Sequence, residues 1–443
     1  METHTAIQPT SVPDAKQAGT VRDRWSFAVP WVWTDRMLTT LEQGVKGGKW
    51  FSLIDKVYAP ETLFWAALQV VEGSGKAAGV DHVTPERYAE YWSEDIRRLG
   101  EELRTGTFQP QPVRRTYIPK AGSTELRPLG IPTVRDRVVQ TALRDVIEPI
   151  FEKIFAPQSY GFRPGRGCKD ALRRVEELMK AGHVFVVDAD LKSYFDTIPH
   201  DRLEARVAEQ ISDGRVLSLI RSYLKQRIMD GLRDWEPEEG SPQGAVISPL
   251  LANIYLNPLD HWMAERGFEM VRYADDFVIL CRTREEAEAA LALVQQWTAE
   301  NGLTLHPTKT KITHAVDDGF EFLGYRFERG TRFPRAKSLK KFQDSIREKT
   351  RRTNGESLEY IVSNVNRTLR GWFGYFKHSK RYVFKDLDSW LRQRLRAILK
   401  KRSGRRGVAK GDDFKRWPNA FFAKLGLYNL ERAHASARQS SRR

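Results

Sequence analysis

Tyr273-Ala274-Asp275-Asp276 lies between two apolar runs, Met270-Val271 and Phe277-Val278-Ile279-Leu280. Two short apolar runs around a polar tip predict a β-hairpin that carries adjacent carboxylates. Like charges a few ångströms apart repel each other, so the pair is unfavourable unless a cation offsets it. Two Mg²⁺ ions about 3.5–4 Å apart, held by carboxylates, would do so and would support nucleotidyl transfer. An acidic hairpin tip on the protein surface is the alternative that these four residues leave open.

A site of this kind needs a third carboxylate from another strand. The β-rich run His183-Val184-Phe185-Val186-Val187 continues to Asp188 and Asp190, which are two residues apart and therefore share a strand face. We expect Asp190 to be the ligand, with Asp188 as its rival.

Further motifs follow in a definite order along the chain. Phe195 lies five residues after Asp190, Ser241-Pro242-Gln243-Gly244 precedes the hairpin, and Lys309 and Leu323-Gly324 follow it. This order resembles the palm of reverse transcriptases. Other stretches narrow the resemblance to the bacterial group II intron-encoded reverse transcriptases with their maturase (thumb) domain: residues 127–132, 160–167, 248–251 and 371–376.

The resemblance covers roughly residues 35–430, and it implies an α+β fold. That fold is a right-hand polymerase with fingers and a palm, in which helices pack on an antiparallel sheet, followed by an α-helical thumb. Nothing resembles a His-Asn-His endonuclease, which places the chain with the endonuclease-lacking type. The implied segments are a disordered N-terminus (1–34), an N-terminal extension with fingers (35–110), fingers (111–180), palm (181–332), helical thumb (333–403) and a basic nucleic-acid-binding segment (404–443), whose tail from Ala433 is expected to be loose.

The resemblance also implies roles for the palm residues. Asp190 and Asp275 would bridge two Mg²⁺ ions, with Asp276 as a supporting carboxylate and the carbonyl of Leu191 as a further oxygen ligand. Lys309 would protonate the pyrophosphate leaving group or neutralise its charge.

A second group of residues is expected at the nucleotide pocket. Phe195 resembles the steric gate that excludes a ribose 2′-OH, although a core role is the alternative for this ring. Gln243 and Gly244 would line the pocket, since glycine permits a close backbone approach. Lys120 and Arg127 would hold the triphosphate from a fingers hairpin with its turn near Gly122, the alternative being two solvated charges.

The net charge of +16 is unevenly distributed over the 443 residues. Residues 331–443 hold 31 Lys and Arg against 9 Asp and Glu, whereas residues 1–330 hold 42 against 48. A strongly cationic C-terminal quarter attracts polyanions, which favours nucleic-acid binding over a merely solubilising tail. The residues expected to contact nucleic acid are Arg163, Arg166, Arg367, Arg370, Lys377, Arg392, Arg396, Lys400, Lys401, Arg402, Arg405 and Arg406.

Composition excludes several other classes of protein. No apolar run is long enough to cross a membrane, and residues 1–23 lack the apolar core of a signal peptide, so we expect neither a membrane protein nor a secreted one. The resemblance implies a bacterial cytoplasmic protein that acts at the nucleoid. Cys168 and Cys281 are expected as free thiols. The glycine-rich stretch at residues 73–81 lacks the Lys-Ser/Thr ending of a P-loop, which excludes ATPase chemistry of that type.

The family resemblance implies a protein that binds its intron RNA, assists splicing and copies the intron into DNA during retrohoming. Its partners would be group II intron RNA, an RNA template with a DNA primer, target DNA and dNTPs, with no membrane. Two alternatives stay open: a free-standing relative in defence or repair, and a splicing cofactor without polymerase activity. Phe195 disfavours an RNA-templated RNA polymerase.

Overall fold

A computed structural model describes residues 19–119, 126–405, 407 and 409–440. It divides into two compact units. One unit holds residues 19–119, 126–175 and 187–311, and the other holds residues 176–186 and the described residues from 312 onward. Strand β3 (Phe185–Asp190) passes from one unit to the other. The predicted α+β class is confirmed by these helices and sheets.

The helices before residue 311 belong to the N-terminal unit, except that the helix Cys168–Lys180 passes into the other unit at Glu176. Trp33, at the end of the segment predicted to be disordered, is fully buried, and its indole N–H donates to the carbonyl oxygen of Asp145. The prediction of disorder is therefore wrong for residues 19–34, because large apolar groups there pack into the core. The helices are α1 (Val21–Arg24), α2 (Asp35–Gln43), α3 (Ile54–Val57), α4 (Pro60–Glu72), α5 (Pro85–Tyr88), α6 (Trp92–Thr105), α7 (Val134–Ile154), α8 (Cys168–Lys180), α9 (His200–Gln210), α10 (Gly214–Leu224), α11 (Ser248–Glu265) and α12 (Arg284–Glu300).

A four-stranded sheet contains the predicted fingers hairpin. Its strands are β1 (Val113–Pro119), β2 (Leu126–Ile131), β4 (Ile228–Asp230) and β5 (Arg233–Trp235), in the order β2-β1-β4-β5. Strands β1 and β2 pair antiparallel, with Ile118 opposite Arg127. The connecting turn and Lys120 lie outside the described residues.

The palm sheet has the order β6-β7-β3-β8, with β6 at Glu269–Tyr273, β7 at Asp276–Cys281 and β8 at Lys311–His314. Strands β6 and β7 pair antiparallel with Tyr273 opposite Asp276, as the apolar runs around the acidic pair predict. Strand β7 is buried from Phe277 to Cys281, which leaves Asp276 exposed at its start. The sheet thereby presents the acidic turn at one end of a buried hairpin.

The C-terminal unit combines a small sheet with helices. Its strands β9 (Phe320–Phe322), β10 (Tyr325–Glu328) and β11 (Thr331–Pro334) follow the order β11-β10-β9. The sheet groups with the C-terminal helices, although the predicted palm extends to residue 332; the predicted segment boundaries stay predictions. The helices are α13 (Ala336–Lys349), α14 (Leu358–Phe376), α15 (Arg381–Arg402), α16 (Asp412–Arg416), α17 (Asn419–Lys424) and α18 (Leu430–Ser440).

The apolar stripes of α14 and α15 form the core of this unit, as their three- and four-residue spacing predicts. Val365 and Leu395 are completely buried in it, and Trp417 and Phe422 from the next segment pack against the same cluster. The expectation of a loose tail from Ala433 is wrong for the described residues, because they belong to α18. The carboxylate of Asp388 on α15 accepts hydrogen bonds from the backbone N–H groups of Leu430 and Glu431, both at 3.0 Å, which fixes the start of that helix.

No helix among the described residues has the length and apolar character that crossing a bilayer requires. The cysteines Cys168 and Cys281 are both free thiols.

Candidate active site

The acidic turn requires an unusual backbone conformation. Pairing of Tyr273 with Asp276 leaves Ala274 and Asp275 as a two-residue turn, and Ala274 takes a positive φ of 60°. Two-residue hairpin turns need positive φ values, which alanine adopts only at a cost of about 1–3 kcal/mol. Gly161 backs directly onto this turn, since a Cβ placed there would lie 2.3 Å from the Ala274 nitrogen. Glycine at position 161 is therefore a steric requirement of the turn.

A buried guanidinium holds the turn in place. Arg272 and Asp260 are both fully buried, and Arg272 Nε and Nη2 donate to the two carboxylate oxygens of Asp260 at 2.8 and 2.5 Å. Arg272 Nη1 donates to the carbonyl oxygen of Ala274 and to Asn253 Oδ1, both at 2.9 Å. Asn253 Nδ2 in turn donates to the Gly161 carbonyl oxygen at 2.8 Å. The Arg272 side chain thus connects α11 to the acidic turn, and Asn253 connects α11 to the loop behind the turn.

Sequence reasoning missed this network, although two signals point to it. Arg272 follows the apolar residues Met270 and Val271 in the buried part of β6, where a charge survives only with a partner. Asn253 and Asp260 lie seven residues apart on the mostly apolar helix α11, and therefore on one helix face.

A second arginine supports the same loop. Arg163 is buried, its Nε and Nη2 donate to both carboxylate oxygens of Glu152 at 2.8 and 2.7 Å, and its Nη1 donates to the carbonyl oxygens of Ala156 and Ser159. The prediction that Arg163 contacts nucleic acid is therefore wrong, because its donors are engaged inside the protein. Arg166 is half-buried and donates to the carbonyl oxygens of Pro157 and Ser159 at 2.5 and 3.2 Å.

Asp190 lies at the end of β3 and is paired with Lys309. Lys309 Nζ lies 2.8 Å from Asp190 Oδ2, and both side chains are partly exposed. The backbone brings them together, because the His306 N–H donates to the Asp190 carbonyl oxygen at 2.7 Å and Leu191 forms an antiparallel bridge with Leu305. The segment that carries Lys309 is thereby fixed along the end of the strand.

The carboxylates of Asp190 and Asp275 interact electrostatically. Burial raises the pKa of Asp275, and the charge of Asp190 raises it further. The charges of Arg127 and Arg272 act in the opposite direction and lower that pKa. Arg127, exposed on β2, therefore acts electrostatically on the carboxylate that the sequence pairs with a metal. No three His, Cys, Asp or Glu side chains converge as a preassembled metal site within the described ranges.

The chemistry of these donors nevertheless fits a hard divalent cation. Magnesium is bound by one or two carboxylates together with substrate phosphates and water, not by an all-protein cage. Two mutually repelling carboxylates, one already neutralised by a lysine, form a site in which added positive charge lowers the energy.

Phe195 and Gln243 lie on two segments that are hydrogen-bonded to each other. Phe195 lies in a 3₁₀ turn, Tyr194–Asp196, and its half-buried ring meets the buried ring of Tyr194 at a centroid distance of 5.6 Å and an angle of 67°. The Ser241 N–H donates to the Phe195 carbonyl oxygen at 2.7 Å. Gln243 Nε2 reaches Asp196 Oδ2 at 3.4 Å. The Phe195 ring thus keeps part of its surface outside the core.

Gly244 is required for a protein contact. It takes a φ of 108°, and a Cβ there would lie 2.5 Å from the Gly130 carbonyl oxygen on β2. The Gly130 N–H also donates to the Gln243 carbonyl oxygen at 2.6 Å. The close backbone approach at Gly244 is therefore made to the fingers sheet, and its role toward a nucleotide stays a prediction.

The remaining residues predicted to contact nucleic acid differ in whether their side chains are buried, bonded within the protein or exposed. Arg396 is buried and donates to the Trp417 carbonyl oxygen and Asn419 Oδ1, both at 2.8 Å, so its predicted contact is wrong. Arg406 lies outside the described residues. Three others are engaged within the protein: Lys400 and Arg405 pair with Asp413 at 3.0 and 3.1 Å, and Arg402 donates to backbone carbonyls. Arg367, Arg370 and Lys401 are exposed, while Lys377 and Arg392 are half-buried.

Comparisons with known proteins identify the family to which two segments of the chain belong. Residues 118–327 match the family described as reverse transcriptase (RNA-dependent DNA polymerase), and residues 339–417 match the group II intron maturase-specific domain. Protein YkfC of Escherichia coli is 36% identical over 317 residues, covering 62% of this chain and 83% of that protein. The group II intron-encoded protein LtrA of Lactococcus lactis is 38% identical over 192 residues, covering 43% of this chain and 32% of that protein. The aligned part therefore spans about a third of the LtrA length.

A solved partial Cas6-RT-Cas1–Cas2 complex is also similar, at 25% identity over 56% of this chain and 41% of that one. The TM-score of this match is 0.37.

Replacing Arg272 with methionine should separate stability from positioning. The single variant Arg272→Met leaves Asp260 buried and unpaired, which should destabilise the protein by about 3–5 kcal/mol. The double variant Arg272→Met/Asp260→Leu removes both charges and should recover most of that loss in chemical denaturation. Its primer extension should stay low, because the hydrogen bond to the Ala274 carbonyl oxygen is still missing. Full recovery of extension together with stability would show that Arg272 does not position the turn.

Proposed function

The chain belongs to the group II intron-encoded reverse transcriptases, RNA-directed DNA polymerases that carry a maturase domain, and from this premise we propose how it acts. Asp190 and Asp275 hold the divalent metal that this family uses, as two Mg²⁺ ions, with Asp276 and the Leu191 carbonyl oxygen completing the set. The observation that carries the assignment is the electrostatic coupling of Asp275 to Asp190 beside Lys309.

The reaction joins the primer 3′-oxygen to the α-phosphorus of a dNTP and breaks the bond to pyrophosphate. When bound, the ions supply charge neutralisation for the attacking and leaving oxygens. The protein contributes position and charge. Arg127 and Lys120 hold the triphosphate, Lys309 neutralises or protonates the pyrophosphate, and Phe195 lies beneath the sugar with Gln243 and Gly244.

The maturase domain supports a second role, in which the protein binds group II intron RNA, assists its splicing and copies it into target DNA. The matching of residues 339–417 to that domain and the cationic C-terminal quarter support this proposal. Electrostatic attraction to phosphates gives such a surface affinity for RNA without sequence readout. We place this activity in the bacterial cytoplasm, at the nucleoid where target DNA lies.

Asp275→Asn should abolish synthesis while relieving electrostatic repulsion. We expect extension of a DNA primer on an RNA template with dNTPs and Mg²⁺ to fall at least about 100-fold, since even loss of residues that merely support metal ligands lowers activity by about 10–100-fold. Asp412→Asn, at a highly exposed carboxylate in the C-terminal unit, is the matched control and should extend normally. Normal extension by Asp275→Asn would contradict the metal assignment.

The same variant has a stability signature in metal-free buffer. A carboxyl group whose pKa is raised by folding is stabilising only while it is protonated, and this contribution is lost as pH rises through the folded pKa. At neutral pH the ionised Asp275 therefore disfavours folding, and Asp275→Asn should unfold at a higher temperature than the parent in EDTA. The advantage should disappear as the pH falls below the usual carboxyl range. A lower unfolding temperature at neutral pH would contradict this reading of the turn.

Phe195→Ala should weaken sugar discrimination. Removing the ring opens space for a 2′-OH, so we expect ribonucleotide incorporation relative to dNTP to rise by about 10–100-fold, the range that small steric differences in a pocket produce. Phe195→Tyr should retain discrimination, and Phe51→Ala, at an exposed ring outside the palm, serves as the control. An unchanged ratio in Phe195→Ala would remove the gate role.

A further inference from the structure

A cavity of about 470 Å³ opens in the C-terminal unit, beside the turn between α14 and α15. Its volume falls in the range of about 300–1,000 Å³ that ligand pockets occupy. The turn between β10 and β11 and the C-terminal helix α18 complete the wall. Five cationic side chains line it against one carboxylate, that of Glu176: Arg332, Lys377, Lys380, Arg381 and Arg438.

Internal ion pairs account for only two of these cations. Arg332 Nε lies 2.8 Å from Glu176, and Arg381 Nη2 lies 2.8 Å from Glu431. The other three make no ion pair with any described part of the chain: Lys377, Lys380 and Arg438. The cavity therefore keeps an uncompensated positive charge.

The start of α15 adds a further positive contribution. This helix is 22 residues long, and its N-cap residue is Lys380, whose side chain makes no capping hydrogen bond. Its first turn also contains no acidic residue. The first backbone N–H groups of a helix lack internal partners and carry the positive end of the helix dipole, which favours an anion there. Lys380 and Arg381, which begin the helix, both line the cavity.

The buried residue Ser379 belongs to the same turn and lines the cavity. It is only 3% exposed, and its hydroxyl interacts with the Tyr325 hydroxyl, which donates its proton to the Tyr375 carbonyl oxygen at 2.5 Å. This contact links the α14–α15 turn to β10.

His434 on α18 reports the local potential. Burial lowers the pKa of this imidazole, and the charges of Arg438 and Arg381 lower it further, while a hydrogen bond to the Ser379 backbone raises it. Arg438 on α18 and Arg381 at the start of α15 therefore both act electrostatically on the His434 imidazole.

We propose that this cavity binds backbone phosphate groups of RNA, with Lys377, Lys380 and Arg438 as the contacting cations and the backbone N–H groups at the start of α15 as hydrogen-bond donors. The inference rests on the proposed function for the identity of the polyanion. Lysine side chains act as point charges that suit phosphates without sequence readout. Their distribution over two elements fits successive phosphates of one strand better than a single small anion.

The triple variant Lys377→Ala/Lys380→Ala/Arg438→Ala tests this assignment. Binding of a mixed-sequence single-stranded RNA is measured over a range of salt concentrations. Loss of three phosphate contacts should reduce the slope of log K against log salt by about 2. The control Arg97→Ala/Lys180→Ala/Arg282→Ala removes three exposed charges outside the cavity and should change the slope much less. Equal changes in both variants would overturn the proposal.

The variant Lys380→Asp distinguishes a role of Lys380 in RNA binding from a role in the stability of α15. A carboxylate at the N-cap satisfies the free N–H groups of α15, so the unfolding temperature should rise or stay unchanged. RNA affinity should nevertheless fall, because the new carboxylate occupies the phosphate position and repels the ligand. Unchanged RNA affinity in a stable Lys380→Asp protein would overturn the proposal.

Two further measurements separate the possible failures. Titration with inorganic phosphate, followed by ³¹P NMR, shows whether the cavity holds a small anion instead. Tight phosphate binding that the triple variant loses, with an unchanged RNA slope, would overturn the RNA assignment. Primer extension by the parent protein on a short template tests the polymerase separately. If the parent fails to extend the primer while the triple variant still shows the expected reduction in salt slope, the proposed function is contradicted and the cavity assignment stands.

Discussion

The buried pair of Arg272 and Asp260 is the interaction on which the acidic turn depends. A buried ion pair adds little net stability, because desolvation offsets most of the attraction. Its contribution here is geometric, since the same guanidinium also binds the Ala274 carbonyl oxygen and Asn253. The strained positive φ of Ala274 persists because these contacts hold the turn in place, while the absence of a side chain at Gly161 leaves the space that its backbone occupies.

Electrostatic repulsion between two carboxylates is the second feature of the palm. Asp275 is partly buried beside another carboxylate, and its pKa is raised in consequence. Lys309 relieves the charge on Asp190, while Arg127 and Arg272 act on Asp275 from the fingers strand and from beneath the turn. Clustered carboxylates with raised pKa values cost folding energy, and such clusters are retained where they bind a cation or a reacting group.

Fewer cations of the C-terminal quarter are available to a ligand than its composition implies. Several of its arginines and lysines are used inside the protein: Arg396 fixes the segment around Trp417, and Lys400 and Arg405 neutralise Asp413. Charge that is already paired in this way adds little to the attraction for a polyanion. The uncompensated positive charge at the turn between α14 and α15 therefore indicates a nucleic-acid site better than the total charge of the C-terminal quarter does.

The sequence by itself determined the α+β class, the acidic hairpin, the strand that ends at Asp190 and the apolar stripes of α14 and α15. The fold class follows from the resemblance in the order of the motifs, and the other three follow from local periodicity or from a short motif, which a single chain segment specifies. Only the tertiary structure decided which arginines are available. Both Arg163 and Arg367 are arginines that the sequence predicts to contact nucleic acid, yet Arg163 is buried against Glu152 and Arg367 is exposed. The carboxylate that pairs with Arg163 lies on a separate helix, α7, so the local sequence does not reveal the pair. The order of residues 19–34 and of α18 likewise depends on distant partners, Asp145 and Asp388, that no local pattern reveals.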